Sequence, residues 1–330
     1  MRISILASVL ALPLLGASLG AQNVIETFTY PNGTNVPGWT ERQGGDFEIR
    51  NGQLYLPSGS WSYITYDALK NIKDCVQDIE AIYTAGAGVR FAGVTARHDG
   101  SATENGLVML KVQDNTSAGN WNRAFNYERP GGSAFTDLVP PSTRCVARLF
   151  VKGNDTWYDI DLDMDGYFEH RSPVRVIAAT TTKPDGSVGA NAFANAALDN
   201  WMYYSGLLFP KTVASQPKIG QQFDMTFSAP LHVIGSATVP TAWIGFLSFK
   251  AGRLPLPDGR GIPFDLASAM ALWSGVLTTT NPEAALSLPI PNDPTLVGVR
   301  FWTNAFTLGM PGQLLGIGHI SNEHGAEISR

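Results

Sequence analysis

Residues 26–56 read ETFTYPNGTNVPGWTERQGGDFEIRNGQLYL, and the end of this stretch decides the fold class. Phe47 and Ile49 alternate with polar residues, Asn51-Gly52 follows, and Leu54 and Leu56 resume the alternation. Asn-Gly between alternating apolar residues is the strongest short-range hairpin signal, because both central residues of the tightest hairpin turn need positive φ. Upstream, an opening strand runs from Glu26, and a Pro/Gly loop delivers Trp39. The stretch predicts short strands joined by turns.

Moving outward, the same grammar continues. Trp61–Tyr66, Cys75–Tyr83, Arg90–His98, Leu107–Gln113, Arg144–Lys152 and Ala196–Gly206 read as strands between Gly, Pro and Asn/Asp turns. Within Leu107–Gln113, Val108, Leu110 and Val112 share one face and Met109, Lys111 and Gln113 the other, which predicts a half-buried strand. In the next strand Trp121, Arg123, Phe125 and Tyr127 fall on one face. Ile262 to Trp273 is the longest tempting helix. Gly (34) and Pro (21) are plentiful, and 44% hydrophobic residues supply real cores. Charged residues make up only 15%, low for a soluble chain. The expected fold is all-β. At 330 residues, two domains are the better expectation, divided as 22–208, a linker at 209–217, and 218–330. From residue 209 to the end seven Lys/Arg meet seven Asp/Glu, so the net charge of −5 lies in the first part. That charge leaves no basic footprint for nucleic acid.

Residues 1–21 read as a secretory signal peptide: Arg2, an apolar run from Ile3 to Leu15, then small residues to Ala21. The chain is therefore expected outside the cell or on its surface. Two cysteines, Cys75 and Cys145, sit in strand-like segments. In an exported chain an even count suggests a disulfide, worth on the order of 4 kcal/mol for a loop of this length. Two buried free thiols are the other reading.

The Gly38-Trp39 pair and the hairpin around Asn51-Gly52 resemble the opening of the concanavalin A-like (laminin-G-like) jelly roll. Leu198-Asp199-Asn200 before Trp201 resembles its last strand, so the resemblance spans about 23–206. It implies a jelly-roll sandwich there, and the rest of the chain is expected to form a second, smaller β-sandwich. It also implies a structural Ca2+ bridged by an acid of the first strand and one of the last, here Glu26 and Asp199. From Lys218 onward, the Lys-Ile-Gly start, SLPIPNDPTLVG (287–298) and GQLLGIG (312–318) resemble a C-terminal β module of large secreted proteins of planctomycete-type bacteria. No biochemical activity attaches to that module.

WYDIDLDMDGYFEHR (157–171) carries the densest chemistry. Asp161-x-Asp163-x-Asp165-Gly166 matches the first half of an EF-hand calcium loop, but its twelfth position is Ser172 and Glu169 comes three places early. The competing reading is a hairpin with Asp165-Gly166 as the turn and Asp159, Asp161 and Asp163 on a wet face. Glucanases of the resembled superfamily carry Glu-x-Asp-x-x-Glu. Here Asp159-Ile-Asp161-Leu-Asp163 stands in its place, and no Gly-x-Ser-x-Gly or His-Glu-x-x-His occurs. For binding, Arg97, Lys111, Trp121, Arg123 and Tyr127 supply the aromatic faces and polar groups that sugars require; the other reading puts Trp121 and Phe125 in the core and the charges in cross-strand pairs with the Asp159–Asp163 row. The reading is an exported, non-catalytic protein that binds carbohydrate or cell-envelope material. The alternatives are a divergent glycoside hydrolase or polysaccharide lyase using Asp159, Asp161 or Asp163, and a structural component of an extracellular assembly.

Overall fold

The expected hairpin forms. Glu48–Arg50 pairs with Gln53–Tyr55, and Asn51 and Gly52 between them adopt φ of 52° and 73°. Its inward residues Ile49 and Leu54 are fully buried. The computed structural model describes residues 23–44, 46–57, 61–84, 89–101, 107–114, 119–129, 134–177, 185–213, 215–229, 240–258, 260–309 and 316–330. The signal segment at 1–21 lies outside the described residues.

Among the described residues, two antiparallel sheets build the first unit. The nine-stranded sheet runs in the order His170–Arg171, Asp155–Asp161, Arg144–Lys152, Cys75–Ile82, Ala197–Tyr204, Gln53–Tyr55, Glu48–Arg50. Val24–Glu26 also joins it against Ala197–Tyr204, and Arg175–Val176 against Asp155–Asp161. The seven-stranded sheet runs Ala134–Ser142, Trp121–Arg129, Leu107–Asp114, Arg90–His98, Ser187–Phe193, Ser62–Tyr66, Trp39–Gln43. Ile79, Ala81, Leu149 and Ile160 of one sheet meet Val94, Val108, Leu110 and Val112 of the other in one apolar core. The all-β sandwich expectation holds.

The strand at Leu107–Asp114 is buried on both faces, not half-buried as its alternation suggests. Its second face carries Leu107 and Met109, which pack with Tyr63 and Trp61.

A second unit follows. Leu207–Pro210 is no free linker: it pairs with Gln222–Ser228, which pairs with Glu283–Pro289. A second sheet runs Met270–Leu277, Thr241–Ser248, Arg300–Leu308, Ile317–Ile320, with His324–Glu327 also on Arg300–Leu308. Met225, Phe227 and Leu286 meet Trp243, Phe301 and Ala305 in a core of their own. The stretch 262–273, the longest that tempts a helix reading, holds only a short 3-10 turn at Leu266–Ser268 and then a strand. Among the described residues no helix is long and apolar enough to cross a membrane.

The cysteines are free and buried, which overturns the disulfide. Cys75 lies opposite Val151 and Cys145 opposite Ala81, six residues apart on one ladder. That separation is roughly 20 Å at about 3.3 Å per residue, whereas a disulfide needs Cα atoms within about 7 Å. Burial pushes the Cys75 thiol up to about 12.

Candidate functional site

Three places bring chemically useful side chains together. The first is the face of the seven-stranded sheet turned away from the core. Register puts Lys111 opposite Phe125, and Gln113 opposite Arg123. The Lys111 ammonium lies 4.5 Å from the Trp61 ring centre, 4.4 Å from Phe91 and 5.0 Å from Phe125. Phe193 stacks on Phe91 at 5.3 Å. Trp61, Phe125, Phe193 and Arg123 keep part of their surface open to solvent. Half-open rings beside a cation and amide groups suit a ligand with one apolar and one hydroxylated side.

Sequence alternation placed this face only in part. Trp121 does not share it: the indole is fully buried in the core, donates to the Ala81 carbonyl at 3.2 Å, and meets Tyr83 edge-on. The ladder slips near Trp121, between Leu138 and Ser142 of the neighbouring strand, so counting by twos from Arg123 fails there. Arg97 is internal as well. Its φ of 55° takes it off the strand alternation, and its guanidinium donates to the Lys73 and Gly153 carbonyls. The Tyr127 side chain lies outside the described residues. Trp61, Phe91 and Phe193 are additions. Their only sequence signal was aromatic residues at strand positions.

The second place is the loop after Asp155–Asp161. The strand ends at Asp161, and the partner strand begins only at His170, so the turn is longer than a two-residue Asp-Gly hairpin. Asp161, Asp163, Asp165 and Glu169 each offer an oxygen, all within 4.8 Å of one another. The loop holds them by its own amides. Asp161 accepts from Met164 and Gly166, Asp165 from Tyr167, and Glu169 from Leu162. Gly166 has φ of 86°, and a Cβ there would sit 2.7 Å from Ala251 Cβ, so only glycine fits. Burial pushes the Asp161 carboxyl up to about 7, with Glu169 and Asp165 adding repulsion against the two amide bonds. Four clustered carboxylate oxygens are the donor set of a hard divalent cation such as Ca2+. Glu169 thus serves as the ninth loop position. Ser172, at the twelfth, is buried and bonds the backbone amide of Tyr158.

Glu26 and Asp199 do not form the expected calcium pair. Glu26 is opposite Trp201, on the core side, and accepts from the Phe28 amide and the Tyr30 hydroxyl. Asp199 falls on the outer side with Met202 and Tyr204, because the strand bulges at Asn200, where φ is 46°. The residues present there do not fit a shared ion.

The third place is the outer face of the nine-stranded sheet, which the second unit covers. Its rungs are legible in register. Val76, Phe150 and Trp157 form an apolar rung, and Asp78, Arg148, Asp159 and Arg171 an ionic one. Arg148 is fully buried and donates to both Asp78 oxygens at 2.7 Å, to Glu323 Oε1 at 2.8 Å and to the Glu323 carbonyl. Arg171 reaches His324 Nε2 at 3.1 Å and the Gly325 carbonyl. Asp159 is buried beside Arg171 at 3.9 Å. The Asp159–Asp163 row therefore does not line a wet cleft. Asp159 belongs to the seam and Asp161 to the loop; of the row only Asp163 is exposed, with Asp165 and Glu169 exposed beyond it.

No family model matches the chain, and no curated protein does. Among solved structures, the carbohydrate-binding module CBM66 from Bacillus subtilis is 15% identical, with a TM-score of 0.39, over 52% of this chain and 99% of that one. A prokaryotic β-1,3-1,4-glucanase (lichenase) from a mouse hindgut metagenome is 9% identical, with a TM-score of 0.39, over 56% and 99%. The VIP36 exoplasmic/lumenal domain, bound to Ca2+ and Man2, is 11% identical, with a TM-score of 0.37, over 55% and 86%. Likeness at this level is one of fold.

Proposed function

We propose that this chain is an exported, non-catalytic glycan-binding protein. Its ligand face is the outer side of the seven-stranded sheet, and a divalent cation in the 161–169 loop stiffens it. One observation carries the reading: the partly open rings of Trp61 and Phe125 and the buried Phe91 surround the nearly buried Lys111, the partly open Phe193 stacks on Phe91, and Arg123 and Gln113 lie alongside. Aromatic faces stack on sugar C–H surfaces, and the flanking cation and amides accept or donate to hydroxyls. The signal-like start of the chain supports export. The burial of Asp159 at the seam removes the carboxylate row that a hydrolase reading needs, since that chemistry requires two acids flanking an open cleft.

The test is a glycan-array screen of the purified chain, with Trp61→Ala and Phe125→Ala beside it. The expected result is binding to neutral or weakly charged glycans that either substitution reduces about tenfold or more. Folded protein that binds no neutral glycan would overturn the proposal, as would neutral-glycan binding that both variants retain.

A further inference from the structure

A second surface lies on the opposite side of the sandwich, at the seam with the second unit. A cavity of about 710 Å³ opens between the turn at 152–155 and the strand 207–210, with Lys73, Lys152 and Lys211 on its walls. A second cavity of about 680 Å³ continues past Arg171 toward Gln216. The two share Val174, Lys211 and Val213, so they form one open trough rather than two closed pockets.

The charges of this trough are unevenly satisfied. Among the acids on its walls, Asp74 already accepts from the Gly153 amide and lies 3.9 Å from Arg97. Glu169 is turned into the acidic loop, and Asp155 stands exposed at the rim. Lys152 pairs with Glu283 and also lies 4.6 Å from the Phe209 ring centre. Arg171 is engaged by His324 and Gly325. Lys73 and Lys211 differ: both are exposed, and neither ammonium has a hydrogen-bond or ion-pair partner among the described residues. The same wall carries apolar side chains beside these polar ones. Phe209, half-buried, meets Trp157 edge-on at 5.6 Å, and Val174 is 41% exposed.

We propose that this trough binds an anionic polysaccharide chain. Lys73 and Lys211 would take its carboxylate or sulfate groups, and Phe209 with Val174 the C–H faces of its rings. The open, elongated shape suits a segment of a polymer rather than an enclosed small molecule. Cations interleaved with a ring would also suit single-stranded nucleic acid. That class stacks successive bases on open aromatic faces, whereas this wall offers one half-buried ring, Phe209, set edge-on to the buried Trp157. The proposal rests on its own residues and is independent of the ligand face on the seven-stranded sheet.

The experiment measures binding of polygalacturonate, dextran sulfate, neutral dextran and poly(U) to the full chain by biolayer interferometry. The variants are the doubles Lys73→Glu/Lys211→Glu and Lys73→Arg/Lys211→Arg; both sites are exposed, so folding is not at stake. The expected result is binding of one or both anionic glycans and not of dextran. Charge reversal should lower affinity about tenfold or more and the arginine double should retain it, with weakening as salt rises. Comparing polygalacturonate with dextran sulfate distinguishes carboxylate from sulfate. Three outcomes would overturn the proposal: no binding of either anionic glycan, binding indifferent to charge reversal, or poly(U) bound as tightly as the glycans. Trp61→Ala and Phe125→Ala should leave this binding intact, so its failure and the failure of the neutral-glycan face are read separately.

Discussion

Two groups of carboxylates lie almost side by side on the outer face of the nine-stranded sheet, and they are held in different ways. In the ionic rung, Asp78, Asp159 and Glu323 surround the buried Arg148 and the nearly buried Arg171, so each buried acid meets a guanidinium. In the loop, Asp161, Asp163, Asp165 and Glu169 share one guanidinium, that of Arg300 on Asp165, and otherwise rely on backbone amides. The same residue type at the same alternation thus builds a lock in one place and a cation-seeking cluster two residues away. What differs is the number of positive groups that the rest of the fold brings to meet them.

Removing the cation from the lock should have the largest effect. Arg148→Ala leaves Asp78 and Glu323 buried without their partner, and loss of one member of a buried pair costs about 3–5 kcal/mol. Chemical denaturation should show this as a lower midpoint. An unchanged midpoint would mean that the seam is hydrated and the two groups do not differ.

Supplying a cation to the loop should have the opposite sign. At a hundredfold excess over its dissociation constant, a ligand of the native state stabilises it by about 2.7 kcal/mol. Calcium should therefore raise the melting temperature over that in chelator, and Asp163→Asn, at an exposed ligand, should shrink the increment. Equal melting with calcium and with chelator would assign the four acids to the surface alone.

Smaller changes probe the contacts that tie the loop to the second unit. The Trp302 indole donates to the Gly166 carbonyl at 2.7 Å. Trp302→Phe should cost about 1 kcal/mol and weaken calcium-dependent stabilisation, which scanning calorimetry in both states would read.

Asp199 gives the smallest effect and a pH signature. Burial raises its carboxyl to about 6, and Glu80 adds repulsion against the Asn200 amide and two arginines. The folded state therefore holds this proton more tightly than the unfolded chain, whose carboxyl titrates near 3.9. Its contribution to stability is full below about pH 4 and is lost as pH rises through 6. Asp199→Asn should stabilise at pH 8 and not at pH 4. The side chain is half exposed, so the gain should be about 1 kcal/mol or less. A melting curve that Asp199→Asn shifts equally at both values would contradict this.

Local signals made much of the fold legible. Asn51-Gly52 fixed a hairpin because the turn demands positive φ at two adjacent residues, and only a short menu of residues supplies it. The alternation of Val108, Leu110 and Val112 correctly gave the core side of a central strand. It could not say that the other side would also be covered. Alternation misplaces Trp121 because a slip in a ladder reverses faces and leaves no mark in the alternation itself; Asp199 is paired with Glu26 by resemblance alone, and a slip at Asn200 turns it to the other face. The cysteines were paired by count, whereas their positions on the ladder keep them apart. The seam was illegible because Arg148 meets Glu323 from the far end of the chain, and no local pattern announces a partner at that separation. Glu169 fails the twelfth position of an EF-hand loop, yet its oxygen joins the three aspartates from the ninth, a position the motif comparison does not test.

The central claim is that glycan binds on the outer side of the seven-stranded sheet. Hydroxyl-radical footprinting of the chain, with and without a saturating neutral oligosaccharide selected on the array, tests it most directly. The account predicts protection of Trp61, Phe125 and Phe193, with Trp157 and Phe209 unchanged. Protection confined to Trp157 and Phe209, with the three sheet residues as reactive as in the free chain, would contradict it.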